Sequence, residues 1–350
     1  MDNTSDLLRD TASKLFAEHT TADQLRAAEQ GVWPAAAWAA IEEAGLHRAL
    51  VPEEAGGYGL PVTDAFSLVR IAGKYALPLP LAETLLASWI LAAAELEIPD
   101  GPLSLAPVAE ATLNMDRTPS GWHLTGTAAR IPWGRNVPHL VALAEHDKIP
   151  LVALIPSSGW QAEPGENLAR EPRDTLTFDA ALPDHMVAIA PIGPDDLRRA
   201  GASLRALQIS GALTRITAMT TQYAQDRVQF GRPIGKFQAV QQNLAIMAGH
   251  TAAAIAASDL AAEAFARGLR PLPMAAAKSR CGEAAGIAAG HSHQIHGAIG
   301  FTYEHSLHFF TKRLWSWRDE FGNEAEWNLF LGRHMARAGA DSLWAALTAA

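Results

Sequence analysis

Two arginines set about a Phe-Gly pair, Arg227 and Arg232 around Phe230–Gly231, are the residues whose type and spacing most directly suggest chemistry. Pro233 follows at a position suited to a first helical turn, and Ile234, Phe237, Val240 or Gln241, Leu244 and Met247 recur at the spacing of one helix face. The pattern predicts a helix whose apolar face packs while a cationic turn at its N-terminal end stays open. Guanidinium groups and the unpaired N–H groups of a helix start both attract anionic oxygen, so the expected chemistry is retention of a dinucleotide-like phosphate between helices. A lone R-x-x-F-G-R-P reads better as an interhelical turn with solvated arginines. A second segment, QIHGAIGFT from Gln294 to Thr302, argues for the ligand.

The elements that must position these segments fall into three blocks. From Asp6 to about Ile98 the pattern is helical, with Leu7, Leu8, Ala12, Leu15 and Phe16 on one stripe and Trp38, Ile41, Leu46 and Leu50 on another. Gly56, Gly57 and Gly59 interrupt it. After Pro99 come short runs bounded by turn residues, such as Leu140–Leu143, Leu151–Ile155 and Thr175–Phe178, which read as strands. From Pro194 the chain returns to helices, expected over 194–226, 233–267, 273 to about 291, and 304–318. The expected domains are therefore an N-terminal helical domain at 1–102, a middle β domain at 103–192 and a C-terminal helical bundle at 193–350. Helices, strands, then helices make an α+β arrangement without β-α-β alternation, and no G-x-G-x-x-G follows a strand.

Composition narrows the function class. With 350 residues, 49% of them apolar, the chain can bury a large core. A net charge of −9 argues against nucleic acid as a partner but is compatible with a locally basic pocket. The single cysteine, Cys281, forms no intrachain disulfide and fits a reducing cytoplasm, where it reads as a small buried residue. The N-terminus lacks a signal-peptide pattern, and prolines and glutamates interrupt the apolar stretch from Ala76 to Ile98, so neither export nor a membrane span is expected.

The two signature segments resemble those of the acyl-CoA dehydrogenase family, R-x-x-F-G-x-P-I-x-x-F-Q and Q-x-H-G-G-x-G-F-T. Here they read RVQFGRPIGKFQ from Arg227 and QIHGAIGFT from Gln294, with Ala298 in place of the second glycine. VPEEAGGYG from Val51, FDAALP from Phe178 and GFTYEHSLHFFTKR from Gly300 extend the similarity over nearly the whole chain. The resemblance implies three domains, N-terminal helical, small middle β-barrel and C-terminal four-helix bundle, with FAD as cofactor. It further implies that Arg227 and Phe230 reach the FAD of a neighbouring subunit and that Gln238 supports the same site. Gln294, Ile295, His296, Gly297 and Ala298 would approach the ADP part through their backbone, a role for which a glycine is suited. Such sharing implies a homodimer, a homotetramer or a heterotetramer with a homologous subunit, an acyl-CoA substrate and a separate electron-transfer partner.

The family reaction needs a carboxylate to remove an α proton while the β hydride passes to flavin. By the same resemblance, its usual base position falls on Phe321, before Gly322, and its alternative on Gly201; neither is an acid. Asp319, Glu320, Glu324 and Glu326 lie near, and Glu320 is the candidate base although one residue turns a helical side chain by about 100°. A solvated acidic helix end is the competing account of that cluster. On the flavin side, the family's glycine loop is missing after Pro107, and Pro132 stands where a threonine hydroxyl is expected, with Arg130 and Trp133 beside it. Histidines 291, 293, 296, 305 and 308 lack metal-ligand spacing, and Trp315, Trp317 and Trp327 read as packing or as walls for a bulky acyl group. Three functions follow from the resemblance: an FAD-dependent acyl-CoA dehydrogenase, a non-catalytic partner subunit of a heteromeric one, or a flavin- or acyl-CoA-binding protein without turnover.

Overall fold

A computed structural model describes residues 2–107, 109 and 111–348. Val108 and Glu110, within the stretch that lacks the glycine loop, lie outside the described residues. The chain divides into two compact units, Met1–Leu68 with Pro78–Gly201, and Val69–Leu77 with Ala202–Ala350.

The first unit begins with helices α1 (Asp2–His19), α2 (Ala22–Glu29) and α3 (Ala35–Glu43), the first turns of α4 (Val62–Lys74), and α5 (Leu81–Ala93). Thr21 starts α2 with a reciprocal cap, its side chain accepting from Gln24 N while Gln24 accepts from Thr21 N at 2.8 Å. Helix α5 is buried on every face, as its run of Leu, Ala and Ile requires. Thr84 on α5 also fixes the entry to the strands, its hydroxyl accepting from Leu103 N at 3.0 Å. Strands β1 (Leu103–Leu105), β2 (Ala111–Thr118), β3 (Gly121–Pro132), β4 (His139–His146), β5 (Ile149–Pro156), β6 (Trp160–Glu163), β7 (Arg173–Leu182) and β8 (Val187–Ile189) form one sheet. Its order is β6-β7-β3-β2-β4-β5-β8, with β1 alongside β4. Leu176, Phe178, Ala180 and Leu182 alternate inward from β7 to meet Leu124, Leu140 and Ile155. A bulge between Ala128 and Ile131 breaks the β3–β7 register where Arg130 takes a left-handed conformation, φ 54°.

The second unit holds most of α6 (Pro194–Asp226), then a two-residue hairpin of β9 (Val228–Gln229) and β10 (Arg232–Pro233), and α7 (Gln238–Ala266), α8 (Pro271–His296), α9 (Leu307–Asp319), α10 (Glu324–Ala338) and α11 (Ala340–Thr348). Helix α6 spans the expected residues. Helix α7 starts at Gln238 instead of Pro233, because β10 claims Pro233, and α8 runs to His296 because nothing breaks it before Gly297, φ 65°. Helix α9 begins at Leu307, three residues after the expected start. The last turns of α4 cross α6 at two glycines: a Cβ on Gly73 would sit 2.1 Å from Gln208 O, and one on Gly211 would sit 1.9 Å from Arg70 O. Main chain cannot yield as a side-chain tip can. Gly211→Ala is accordingly expected to cost about 2 kcal/mol in urea unfolding, and an unchanged midpoint would show that the crossing is looser than described.

Candidate functional site

Helix α6 ends at Asp226, and Arg227 N still donates to Tyr223 O at 2.9 Å before the chain turns outward. Arg232 pairs with Gln229, and the two residues between them, Phe230 and Gly231, both have positive φ, 52° and 81°. That is the geometry of a two-residue hairpin turn whose twist matches the flanking strands. It is comfortable for Gly231 and unusual for a phenylalanine. Phe230 is 93% exposed, touching the Phe237 ring edge-on at 6.1 Å, while the Arg232 guanidinium lies 4.3 Å from the Phe237 ring centre. Arg227 is exposed and, among the described residues, has no side-chain partner; Gln238, the first residue of α7, is exposed too. The apolar face expected to pack is only partly covered: Met247 is buried, whereas Ile234, Phe237, Val240 and Leu244 remain half-buried and Ile246 exposed. Helix α7 is apolar over a length that could cross a membrane, yet the chain buries just 28% of that window.

The second segment meets the first through a residue that sequence reading missed. Tyr223, one turn before Arg227 on α6, stacks on the His296 ring at 4.4 Å and donates its hydroxyl to His296 O at 3.4 Å. Its place in the last turn of α6, four residues before Arg227, was the available signal. Gln294 is exposed, Ile295 half-buried and His296 buried in the last turn of α8. His296 Nδ1 donates to Ser292 O at 2.8 Å, and burial pushes its pKa down to about 4. Gly297 then turns with φ 65° and open space where a Cβ would stand, so its main chain is accessible; Ala298 is exposed beside it. Gly300 is buried, its missing Cβ only 3.0 Å from His296 Cβ.

The two base positions implied by the resemblance, Gly201 on α6 and Phe321 after α9, carry no carboxylate. Ala202, next to the buried Gly201 on α6, shares an apolar cluster with Ala275 of α8 and Trp327 of α10, and Phe321 packs against it. Phe321 and Gly322 adopt successive left-handed conformations, φ 57° and 95°, and Trp327 Nε1 donates to Phe321 O at 3.1 Å. Glu320 does not end in solvent: its carboxylate accepts from Arg205 Nε at 2.6 Å, and Arg205, 2% exposed, also donates to Gln208 and lies over the Phe321 ring at 5.6 Å. A carboxylate engaged by a buried guanidinium can reach a substrate proton only by giving up that contact. Glu324 is similarly engaged, accepting from Arg318 Nε at 2.5 Å, and Glu326 closes the cap of α10 with Asn323. Glu320 and Glu324 are thus tied into the bundle, while Asp319 and Glu326 stay exposed, as a solvated helix end would have them. Beneath the turn, Lys278 is 1% exposed and donates to Arg318 O at 2.6 Å and Gly322 O at 2.7 Å, with its pKa lowered by burial to about 8. Arg205 and Lys278 were absent from the sequence-based candidates; each lies on a helix face whose neighbours Ala202, Ala206, Ala275 and Cys281 are all buried.

In the strand region, Pro132 is buried, pairs with Arg173, and has its carbonyl occupied by the Ser104 hydroxyl. It offers neither N–H nor hydroxyl. Trp133, 7% exposed, packs edge-on against Trp33 at 5.9 Å. Among the described residues no three His, Cys, Asp or Glu side chains converge as metal ligands.

Comparison with known proteins matches residues 2–96 to the acyl-CoA dehydrogenase N-terminal domain and residues 200–318 to the acyl-CoA dehydrogenase C-terminal domain. The chain is 30% identical over 319 residues to the acyl-CoA dehydrogenase IpdE2 of Mycobacterium tuberculosis, covering 88% of this chain and 89% of that protein. It superposes on a chain of the ChsE4–ChsE5 complex from Mycobacterium tuberculosis with TM-score 0.87 at 22% identity, over 96% of this chain and 98% of that one. The butyryl-CoA dehydrogenase of Megasphaera elsdenii gives TM-score 0.82 at 17% identity, over 94% and 97% of the two chains.

Proposed function

The chain belongs to the acyl-CoA dehydrogenase family, and from that premise we propose that it serves FAD-dependent α,β-dehydrogenation of an acyl-CoA thioester as the partner subunit of a heteromeric enzyme. One observation carries this reading: neither base position, Gly201 or Phe321, is a carboxylate, Phe321 packs against the Ala202–Ala275–Trp327 cluster, and the adjacent Glu320 is committed to Arg205. The phosphate side is better provided. Arg227 and Arg232 stand exposed at the β9–β10 hairpin, Tyr223 near the end of α6 stacks on His296 before the Gly297 turn, and the open main chain at Gly297 suits an anionic group. Residues fitting FAD are therefore Arg227, Phe230, Gln238 and the 294–298 segment, whereas Pro132 does not fit the flavin ring in the way the family pattern requires. Flavin, when bound, supplies the acceptor for the β hydride.

In this reading Arg227 and Phe230 project from this chain into the cofactor site of a homologous subunit that carries its own base. The uncovered face of α7 and the exposed Phe230 support association, since so large an apolar surface is costly in water. The ChsE4–ChsE5 structure, a complex of two differently named chains, supports a heteromer over a homodimer or homotetramer. Cytoplasmic location and transfer of electrons to a separate protein complete the proposal.

The visible spectrum distinguishes the readings. Expressed alone, the chain should be colourless and should not be reduced by acyl-CoA; co-expressed with a base-bearing homologue, it should give a yellow complex that acyl-CoA bleaches. Arg227→Ala in that complex should lower flavin retention about tenfold, the loss expected of one charge-assisted contact. Yellow protein obtained alone and bleached by acyl-CoA would overturn the partner reading and return the chain to self-sufficient catalysis.

A further inference from the structure

Four histidines surround the turn that follows α8, more than anchoring a short turn needs. His293 is 6% exposed, stacked between Phe301 at 4.2 Å and Trp315 at 5.6 Å. His296, 4% exposed, lies between Tyr223 at 4.4 Å and the His305 ring at 4.7 Å. His308 Nδ1 donates to His305 O at 2.7 Å, so the same rings connect α6, α8, the 297–306 segment and α9.

The hydrogen bonds fix which nitrogens carry protons. His296 Nδ1 faces Ser292 O and must donate, which leaves Nε2 as a bare lone pair, buried without a partner. The Thr311 hydroxyl is directed at Leu307 O, so it accepts from His293 Nε2 at 2.9 Å and leaves His293 Nδ1 bare, again buried without a partner. His305 Nδ1 accepts the Leu307 main-chain N–H at 3.2 Å, at the start of α9. Each ring is thus held neutral, and a second proton would enter either an unpartnered buried position or one already receiving an N–H.

We propose that the 297–306 segment is an acid-released latch, closed by the neutral stack of His293, His296 and His305 and opened when those rings take up protons. The surroundings offer no compensation. Helix α6 presents Tyr223 and Thr220, helix α8 presents Ser292 and the half-buried His291, and α9 presents His308, Thr311 and Lys312, whose ammonium lies 5.6 Å from the Tyr303 ring. Glu304, the carboxylate within the segment, is exposed, and among the described residues no ion pair joins His293, His296 or His305 to a carboxylate. Burial lowers the pKa of all three, and each neighbouring histidine that gains a proton opposes the next.

This inference stands apart from the flavin reading, because the latch is a property of the chain without cofactor. Amide hydrogen exchange of the full chain between pH 7 and pH 5, corrected for the intrinsic rate, tests it. The opening constant of amides 297–306 should rise about 10- to 30-fold over that range, while those of mid-α7 stay constant. His296→Phe keeps a ring against Tyr223 and should remove most of the rise; His305→Phe should do so independently if the first variant folds poorly. A flat wild-type profile, or the same rise in both variants, would overturn the latch.

Discussion

Glu320→Ala is expected to lower the stability of the folded chain by about 3–5 kcal/mol, seen as a lower urea midpoint. The reason lies in its partner. Arg205 is 2% exposed, and losing the carboxylate at 2.6 Å would remove an ion-pair partner from a guanidinium held in the bundle beside Gln208 and the Phe321 ring. The double variant Arg205→Met/Glu320→Leu should recover most of the loss, because removing both charges removes the desolvation cost as well as the attraction. A general base behaves differently: its removal lowers kcat by orders of magnitude with little change in folding. Unchanged stability together with abolished turnover in the assembled enzyme would restore Glu320 as the base and reverse the account of the 318–322 turn given above.

That turn explains why a one-residue offset matters. With Phe321 and Gly322 both left-handed, Glu320 points to α6 and Arg205, and Phe321 points to the Ala202–Ala275–Trp327 cluster. The place that would hold the base is occupied by an aromatic ring under a guanidinium. Such a site favours a closed structural role, and this is what connects the chemistry of one turn to the proposal that a second polypeptide completes the enzyme.

Much of the architecture was legible in the sequence because its signals are local. Strand alternation around Leu176–Phe178, the Pro-Asp-Asp start of α6 and the two signature segments depend on residues close in the chain. The start of α7 was misjudged for an equally local reason: Pro233 suits a first helical turn, but Phe-Gly in the left-handed region makes a hairpin that takes Pro233 as a strand residue, and phenylalanine gives little hint of that conformation. Tyr223, Arg205 and Lys278 were hidden because their partners, His296, Glu320 and Gly322, are 73, 115 and 44 residues away. A charged residue reads as exposed unless the groups that satisfy it are known, and those are supplied only by the fold.

Lys278→Ala should cost about 4 kcal/mol at neutral pH, since it opens a cavity and strips two buried carbonyls of their donor. Its pH dependence identifies the cause. The ammonium has a pKa of about 8 in the fold against an ordinary lysine value of 10.5, so between those limits the unfolded chain binds more protons than the folded one. Stability from this group is therefore lowest below pH 8, where both states are charged, and rises as pH climbs toward 10.5. From pH 7 to pH 10 the wild type should gain about 2 kcal/mol relative to Lys278→Ala, in which no such group titrates. Urea unfolding of both proteins at the two pH values measures the gap. A gap that stays constant would mean that the amino group is hydrated in the native state.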